Sequence, residues 1–213
     1  MREDICSIPV SEIFEYKAGC PLCRMRTVLE ERVVTYITGP AMMEPDVRQE
    51  TNRKGFCSRH FSQMLSMQKR LSVALTTESL FAELQKRLFK KSGKAETAET
   101  CFVCENVEWA MERQIATVCR LYGQEKEFRD LFAQTPVFCL PHYKRLSAAQ
   151  KQVSKTCLSE FTGELDRITR ETLDGLHRDL SHFCSMFDYR NSEADWGTSK
   201  DALERAARFL HGE

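Results

Sequence analysis

The stretch Cys20-Pro21-Leu22-Cys23 decides how the chain is read, because it has an answer: after 33 intervening residues comes Cys57-Ser58-Arg59-His60. The same order returns farther on, where Cys101-Phe102-Val103-Cys104 is followed, after 34 residues, by Cys139-Leu140-Pro141-His142. Two side chains separated by two residues converge on one ion when the backbone enters a helix, and two such pairs complete a tetrahedron of three thiolates and one imidazole. The expectation is two modules. Cys20, Cys23, Cys57 and His60 surround one ion, and Cys101, Cys104, Cys139 and His142 surround the other. Four protein ligands leave no position for water or substrate, so the role expected of each ion is structural, on the order of 10 kcal/mol of folding free energy at neutral pH.

The repeat extends outward from the ligands. Phe56 and Phe138 precede the third cysteine, Phe61 and Tyr143 follow the histidine, and Val47-Arg48 matches Phe128-Arg129 when the first cysteines are aligned. This points to duplication of one supersecondary unit. Apolar residues recur at three and four positions almost throughout, while only 9 glycines and 6 prolines interrupt 213 residues. That pattern predicts an all-α fold: a first module over 1–92, a linker over 93–100, a second module over 101–150, and a long C-terminal helix with a short capping helix over 151–213.

Within the first module, Pro9 and the apolar spacing of Val10, Ile13 and Phe14 predict a short helix. A longer one follows from Cys23 to the Gly39-Pro40 stop, and another runs from Pro45-Asp46 through Arg53 until Gly55 interrupts it. After His60 the pattern Phe61, Met64, Leu65, Leu71, Leu75 suggests a long helix with a break near Thr76-Thr77. The charged segment KKSGKAETAET lacks apolar periodicity and reads as the linker. The second module repeats the order, with a helix through Tyr122, a shorter one around Phe128 and Phe132, and another after His142. From Leu158, the positions Phe161, Leu165, Ile168, Leu176, Leu180, Phe183 and Phe187 predict a long helix packing across both modules.

The chain has 31 basic and 31 acidic residues, so no global field draws it toward nucleic acid or anionic lipid. No long apolar run is present, and the first residues lack the apolar stretch of a secretory signal, so the expected location is cytoplasmic. In that compartment thiols stay reduced, and ten cysteines point to metal binding rather than disulfides. Zinc, two per chain, is the expected cofactor. An iron–sulfur cluster is the alternative, since soft thiolates suit both metals. A thioredoxin-like dithiol fits less well, because no β-α-β pattern surrounds either pair. Cys6, Cys119, Cys157 and Cys184 read as buried small apolar residues.

A secondary polar set lies near the end of the long helix. His177 and Cys184 share a stripe with Leu173 and Leu180, while His182 lies on another face. As a metal site the pair is incomplete, and a core or boundary histidine is the plainer reading of His177. Beyond them, Asp188, Tyr189 and Arg190 bring acid, phenol and guanidinium together, either to tie the loop to the bundle or to wall a pocket for an anion. No nucleophile and base pair, phosphate-binding glycine loop or zincin motif is present. A non-enzymatic scaffold with a protein partner is therefore the leading expectation. A metal- or redox-responsive protein or an enzyme accessory factor is second, and a nucleic-acid-binding zinc module is a weaker third.

Taken together, CPLC, GFCSRHF, CFVC, FCLPHY, HFCSMFDYRN and the WG that follows resemble an uncharacterised family of cytosolic proteins, a domain of unknown function found mainly in anaerobic Firmicutes. Some of its members are labelled substrate-binding proteins of ABC transporters. The resemblance covers nearly the whole chain. It implies a doubled Cys/His module with a C-terminal FDYR segment and the eight cysteines and histidines above as ligands. It implies no reaction, and the transporter label sits poorly with a chain whose sequence shows no two-lobed α/β pattern.

Overall fold

Proline and glycine punctuate the chain where helices begin and stop. The computed structural model describes residues 9–89, 100–191 and 194–212, and among these residues it is all α, with no strand and ten α-helices. The first part holds α1 (Val10–Glu15), α2 (Pro21–Ile37), α3 (Pro45–Lys54), α4 (Ser58–Ser66) and α5 (Arg70–Leu88). The second holds α6 (Phe102–Gln124), α7 (Lys126–Ala133), α8 (Leu140–Ala149), α9 (Leu158–Ser185) and α10 (Ala202–His211). Pro21 and Pro45 each occupy a first helical position, where the missing N–H costs no hydrogen bond. Beyond α3, Gly55 takes φ +67° while its N–H donates to the carbonyl of Thr51.

The duplication is visible in the helices. α2, α3 and α4 correspond in order to α6, α7 and α8, and the paired arginines do similar work. Arg48 donates to the carbonyls of Met42 at 3.0 Å and Leu75 at 2.8 Å, and Arg129 to that of Tyr122 at 3.1 Å. Met42 and Tyr122 lie near the ends of the segments that precede α3 and α7, where carbonyls lack intrahelical partners, whereas Leu75 lies inside α5, so Arg48 also ties α3 to the helix packed on it.

Two compact units divide the chain, one of residues 26–112 and the other of residues 9–25 with 113–212. The boundaries fall inside α2 and α6. Cys6 and most of the expected linker, 93–99, lie outside the described residues. In the first unit α3 and α4 pack on α5, and Leu29, Val33, Val34, Met64, Val73, Val107 and Met111 are buried. In the second an aromatic cluster forms the centre: Phe14, Tyr122, Phe128, Phe132, Phe138 and Phe161 are each almost fully buried. Phe132 lies 5.1 Å from Tyr122, 5.0 Å from Phe138 and 5.3 Å from Phe161, ring centre to ring centre. α9 packs on α8 and α10 in the same unit.

One expected boundary moves. The chain does not break near Thr76-Thr77; it breaks at 67–69, between α4 and α5, where Gln68 adopts φ +59°. Thr76 and Thr77 instead lie inside α5, their hydroxyls donating to the carbonyls of Ser72 and Val73 at 3.0 and 2.7 Å. Back-bonding to the preceding turn lets a threonine sit in a helix interior.

Candidate metal centres

All four paired motifs occupy the same place on a helix. Cys20, Cys57, Cys101 and Cys139 directly precede the first residues of α2, α4, α6 and α8, and Cys23, His60, Cys104 and His142 are the third residues of those helices. A side chain before the first turn and another at its third position lie together at the N-terminus. There the free amides and the positive end of the helix dipole favour anionic sulfur.

The structure corrects which pairs meet. Cys20 and Cys23 do not close with Cys57 and His60, nor Cys101 and Cys104 with Cys139 and His142. Instead Cys20, Cys23, Cys139 and His142 form one group, centre A, and Cys57, His60, Cys101 and Cys104 form the other, centre B. In each group the four ligand atoms lie within 4.8 Å of one another. Every centre thus takes its Cys-x-x-Cys from one sequence repeat and its Cys-x-x-His from the other. Centre A lies wholly in the second compact unit and centre B wholly in the first.

In centre A the Nδ1 atom of His142 is 3.1 Å from Cys139 Sγ, 3.4 Å from Cys23 Sγ and 3.6 Å from Cys20 Sγ, and the sulfurs of Cys23 and Cys139 are 3.5 Å apart. In centre B the Nδ1 atom of His60 is 3.2, 3.4 and 3.3 Å from the sulfurs of Cys57, Cys101 and Cys104, and Cys57 and Cys104 are 3.9 Å apart. Tetrahedral zinc with bonds of 2.0–2.3 Å places its sulfurs about 3.8 Å apart and its sulfur and nitrogen about 3.6 Å apart. The observed separations of 3.1–3.9 Å lie within about 0.5 Å of these figures, so the donor sets fit a single ion.

Electrostatics agree with a cation at each centre. Burial pushes the Cys20 thiol well above its ordinary range, helped by its contacts with Cys139 and Cys23. The Cys104 thiol rises to about 12, through burial and then the neighbouring Cys101 and Cys57. At Cys139 the contact with Cys20 pulls downward, but the contact with Cys23 and burial leave it raised to about 11. Burial also opposes ionisation of Cys57, yet the amides of His60 and Arg59 and the sulfurs of Cys101 and Cys104 bring it below its usual value. The thiols of Cys20, Cys104 and Cys139 therefore keep their protons unless a dication replaces them. Burial lowers the His60 pKa, keeping the ring in the neutral form that binds metal.

Behind centre B stands a group that the sequence analysis missed. Glu30, only 4% exposed, places Oε1 3.7 Å from the Nε2 atom of His60, which has no hydrogen bond of its own. The same carboxylate pairs with Arg26 at 3.4 Å and with Arg59. A carboxylate behind a ligating histidine orients the ring and raises its basicity. The signal was present: Glu30 falls on the apolar stripe of α2, one turn from Arg26, Val33 and Val34. Lys54 is also buried, held 3.2 Å from Glu50 and paired with Glu105, next to Cys104 in sequence.

The secondary polar set does not assemble into a site of this kind. His177 and Cys184 are exposed, and neither belongs to a metal-ligand group among the described residues. His177 is therefore not a core histidine. His182 pairs through Nε2 with the carbonyl of Asp195 at 3.0 Å. Asp188 accepts hydrogen bonds from the backbone N–H and Nε of Arg190, both at 3.0 Å, so this ion pair lies within the loop. Asn191 is the residue that ties it to α9, donating to the carbonyl of Ser185 at 2.8 Å. Tyr189 is 86% exposed. Cys119 is buried and donates toward the carbonyl of Ala149; Cys157 is half-buried. No helix among the described residues is long and apolar enough to cross a membrane.

Comparison with known proteins agrees with the resemblance drawn from the motifs. Neither the curated proteins nor the solved structures yield a match. Over residues 1–213 the chain belongs to a family described as a family of unknown function, DUF6062.

Proposed function

We propose, for a chain whose family prescribes no reaction, that the protein is a zinc-stabilised helical scaffold acting through a protein partner. The carrying observation is the pair of four-ligand groups, each gathered within 4.8 Å where two helix N-termini meet. Zinc is favoured over an iron–sulfur cluster because a cluster holds its cysteines apart by the width of its inorganic core, whereas these sulfurs approach to 3.5 and 3.9 Å. Four protein donors around one ion leave no coordination position for substrate, which supports a structural role.

A partner surface is supported by the large side chains left outside. Phe187 is 73% exposed at the end of α9, beside Tyr189 and the ring of Trp196, 5.9 Å from Phe187. Aromatic side chains of this kind are frequent anchors in protein interfaces. The zero net charge speaks against the nucleic-acid reading.

The deciding test is elemental analysis and a visible spectrum of protein purified without oxygen and without a histidine tag. Two zinc ions per chain and no colour are expected. Iron with sulfide would overturn the reading and make the centres redox-active groups.

A further inference from the structure

The second unit carries a half-open cavity of about 610 Å³ between α9, α10 and the segments leading into α2 and α8. That size falls within the range of small-molecule sites, roughly 300–1,000 Å³, which combine apolar walls with a few placed polar groups. Here Pro136, Val137, Leu176 and Phe209 supply apolar wall, and Cys20, Cys23 and Cys139 of centre A border it.

The charges around the cavity are unequal in one respect. Asp179 accepts from Arg205 and from the hydroxyl of Thr198, at 2.8 and 2.9 Å, and Arg205 also donates to Asp201 at 2.8 Å. Glu171 accepts from Arg167 at 2.8 Å. Arg208 lines the same cavity one turn after Arg205, and its guanidinium has no hydrogen bond or ion pair among the described residues. With a dication bound, the three thiolates of centre A leave one net negative charge, which the N-termini of α2 and α8, about half a positive charge each, offset.

Gly175 offers a place to test the cavity. It lies inside α9, where glycine weakens a helix, and it borders the cavity. A Cβ built there would approach nothing nearer than Arg178 Nη2 at 4.0 Å. Packing does not require this glycine, and a larger side chain there would find open space beside the cavity.

We propose that this cavity binds a small organic anion, with its apolar body against Val137, Leu176 and Phe209 and its carboxylate or phosphate on Arg208. The inference rests on neither the identity of the metal nor the protein partner. The test uses the full-length, metal-loaded protein with benzoate and phenyl phosphate as probes and benzyl alcohol as the neutral control, followed by amide chemical shifts. Saturable shifts at Gly19, Gly175 and Arg208 are expected with at least one anion, and the tighter of the two identifies the head group. Benzyl alcohol should bind roughly tenfold or more weakly, and Arg208→Gln should weaken the anion by a similar factor, as expected for loss of a charge-assisted contact.

Gly175→Leu should abolish binding while metal content stays unchanged, which separates failure of the cavity from failure of the metal reading. Arg208→Gln, at an exposed position, keeps the test decisive should the leucine variant not fold. Absence of saturable shifts with both anions would overturn the proposal. So would benzyl alcohol binding as tightly as benzoate with Arg208→Gln unaffected, since the cavity would then be an apolar space without anion recognition.

Discussion

Glu30 joins the mechanics of centre B to the rest of its unit. Its carboxylate faces the imidazole of His60 at 3.7 Å and pairs with Arg26 and Arg59, so its negative charge favours a proton on Nε2 and leaves Nδ1 for a metal. Glu30→Gln should therefore weaken metal retention at centre B by roughly 10–100-fold, the usual cost of losing such a partner, while centre A is unchanged. Competition with a chromophoric chelator measures this directly, and equal release from both centres would refute the assignment. The cysteines provide a sharper test of pairing. In Cys57→Ser, one equivalent of metal should be lost, and Cys101 and Cys104 should become open to alkylation while Cys20 and Cys23 stay protected. Mass spectrometry of the alkylated peptides reads the result; the opposite pattern would restore pairing within each sequence repeat.

At the scale of the element, the fold repeats one device four times: a cysteine before a helix and a second ligand in its first turn. The approach to that device differs among the helices. Before α4 the chain needs Gly55, whose φ of +67° and ψ of −160° lie where only glycine is at ease. Its carbonyl also accepts the N–H of Phe102 at 3.0 Å, joining the two arms of centre B. Nothing lies within 4 Å of a Cβ built there, so Gly55→Ala should cost backbone strain alone, about 1–3 kcal/mol. Thermal unfolding of the metal-loaded protein should show a lowered midpoint with metal content unchanged. The break between α4 and α5 follows a different logic. Apolar spacing runs through it, but Gln68 turns the backbone at φ +59°, starting a new helix at Arg70.

Across the whole molecule, the crossing of the repeats would make an ion at each centre a long-range staple. Cys23 meets Cys139 at a separation of 116 positions, and Cys57 meets Cys104 at 47. Closing loops of this length is entropically unfavourable in the metal-free chain, and metal binding on the order of 10 kcal/mol is comparable to the net stability of an ordinary domain. A chelator strong enough to strip both centres should therefore abolish cooperative folding, seen as loss of far-ultraviolet ellipticity and its return on adding zinc. The fragment 1–92 carries Cys20, Cys23, Cys57 and His60, the ligands of one sequence repeat, but only half of each centre. Zinc titration of that fragment should produce no cooperative gain of helix; a stoichiometric folding transition would show that one repeat can close alone.

The eight cysteines and histidines that gather into groups, the helical class, the duplication and most helix limits were legible in the sequence, because they depend on local spacing. A cysteine two residues from a cysteine or histidine says that both can reach one ion, and Gly39-Pro40 or Gly55 says where a helix must stop. Local spacing carries no information about which distant pair completes the shell. The gaps of 33 and 34 residues favoured neighbours in sequence, whereas the tertiary structure joined Cys20 and Cys23 to Cys139 and His142. The burial of Glu30 behind His60 and the cavity beside centre A were decided there too. Each depends on side chains brought together from separate helices, and periodicity within one helix cannot specify its neighbour.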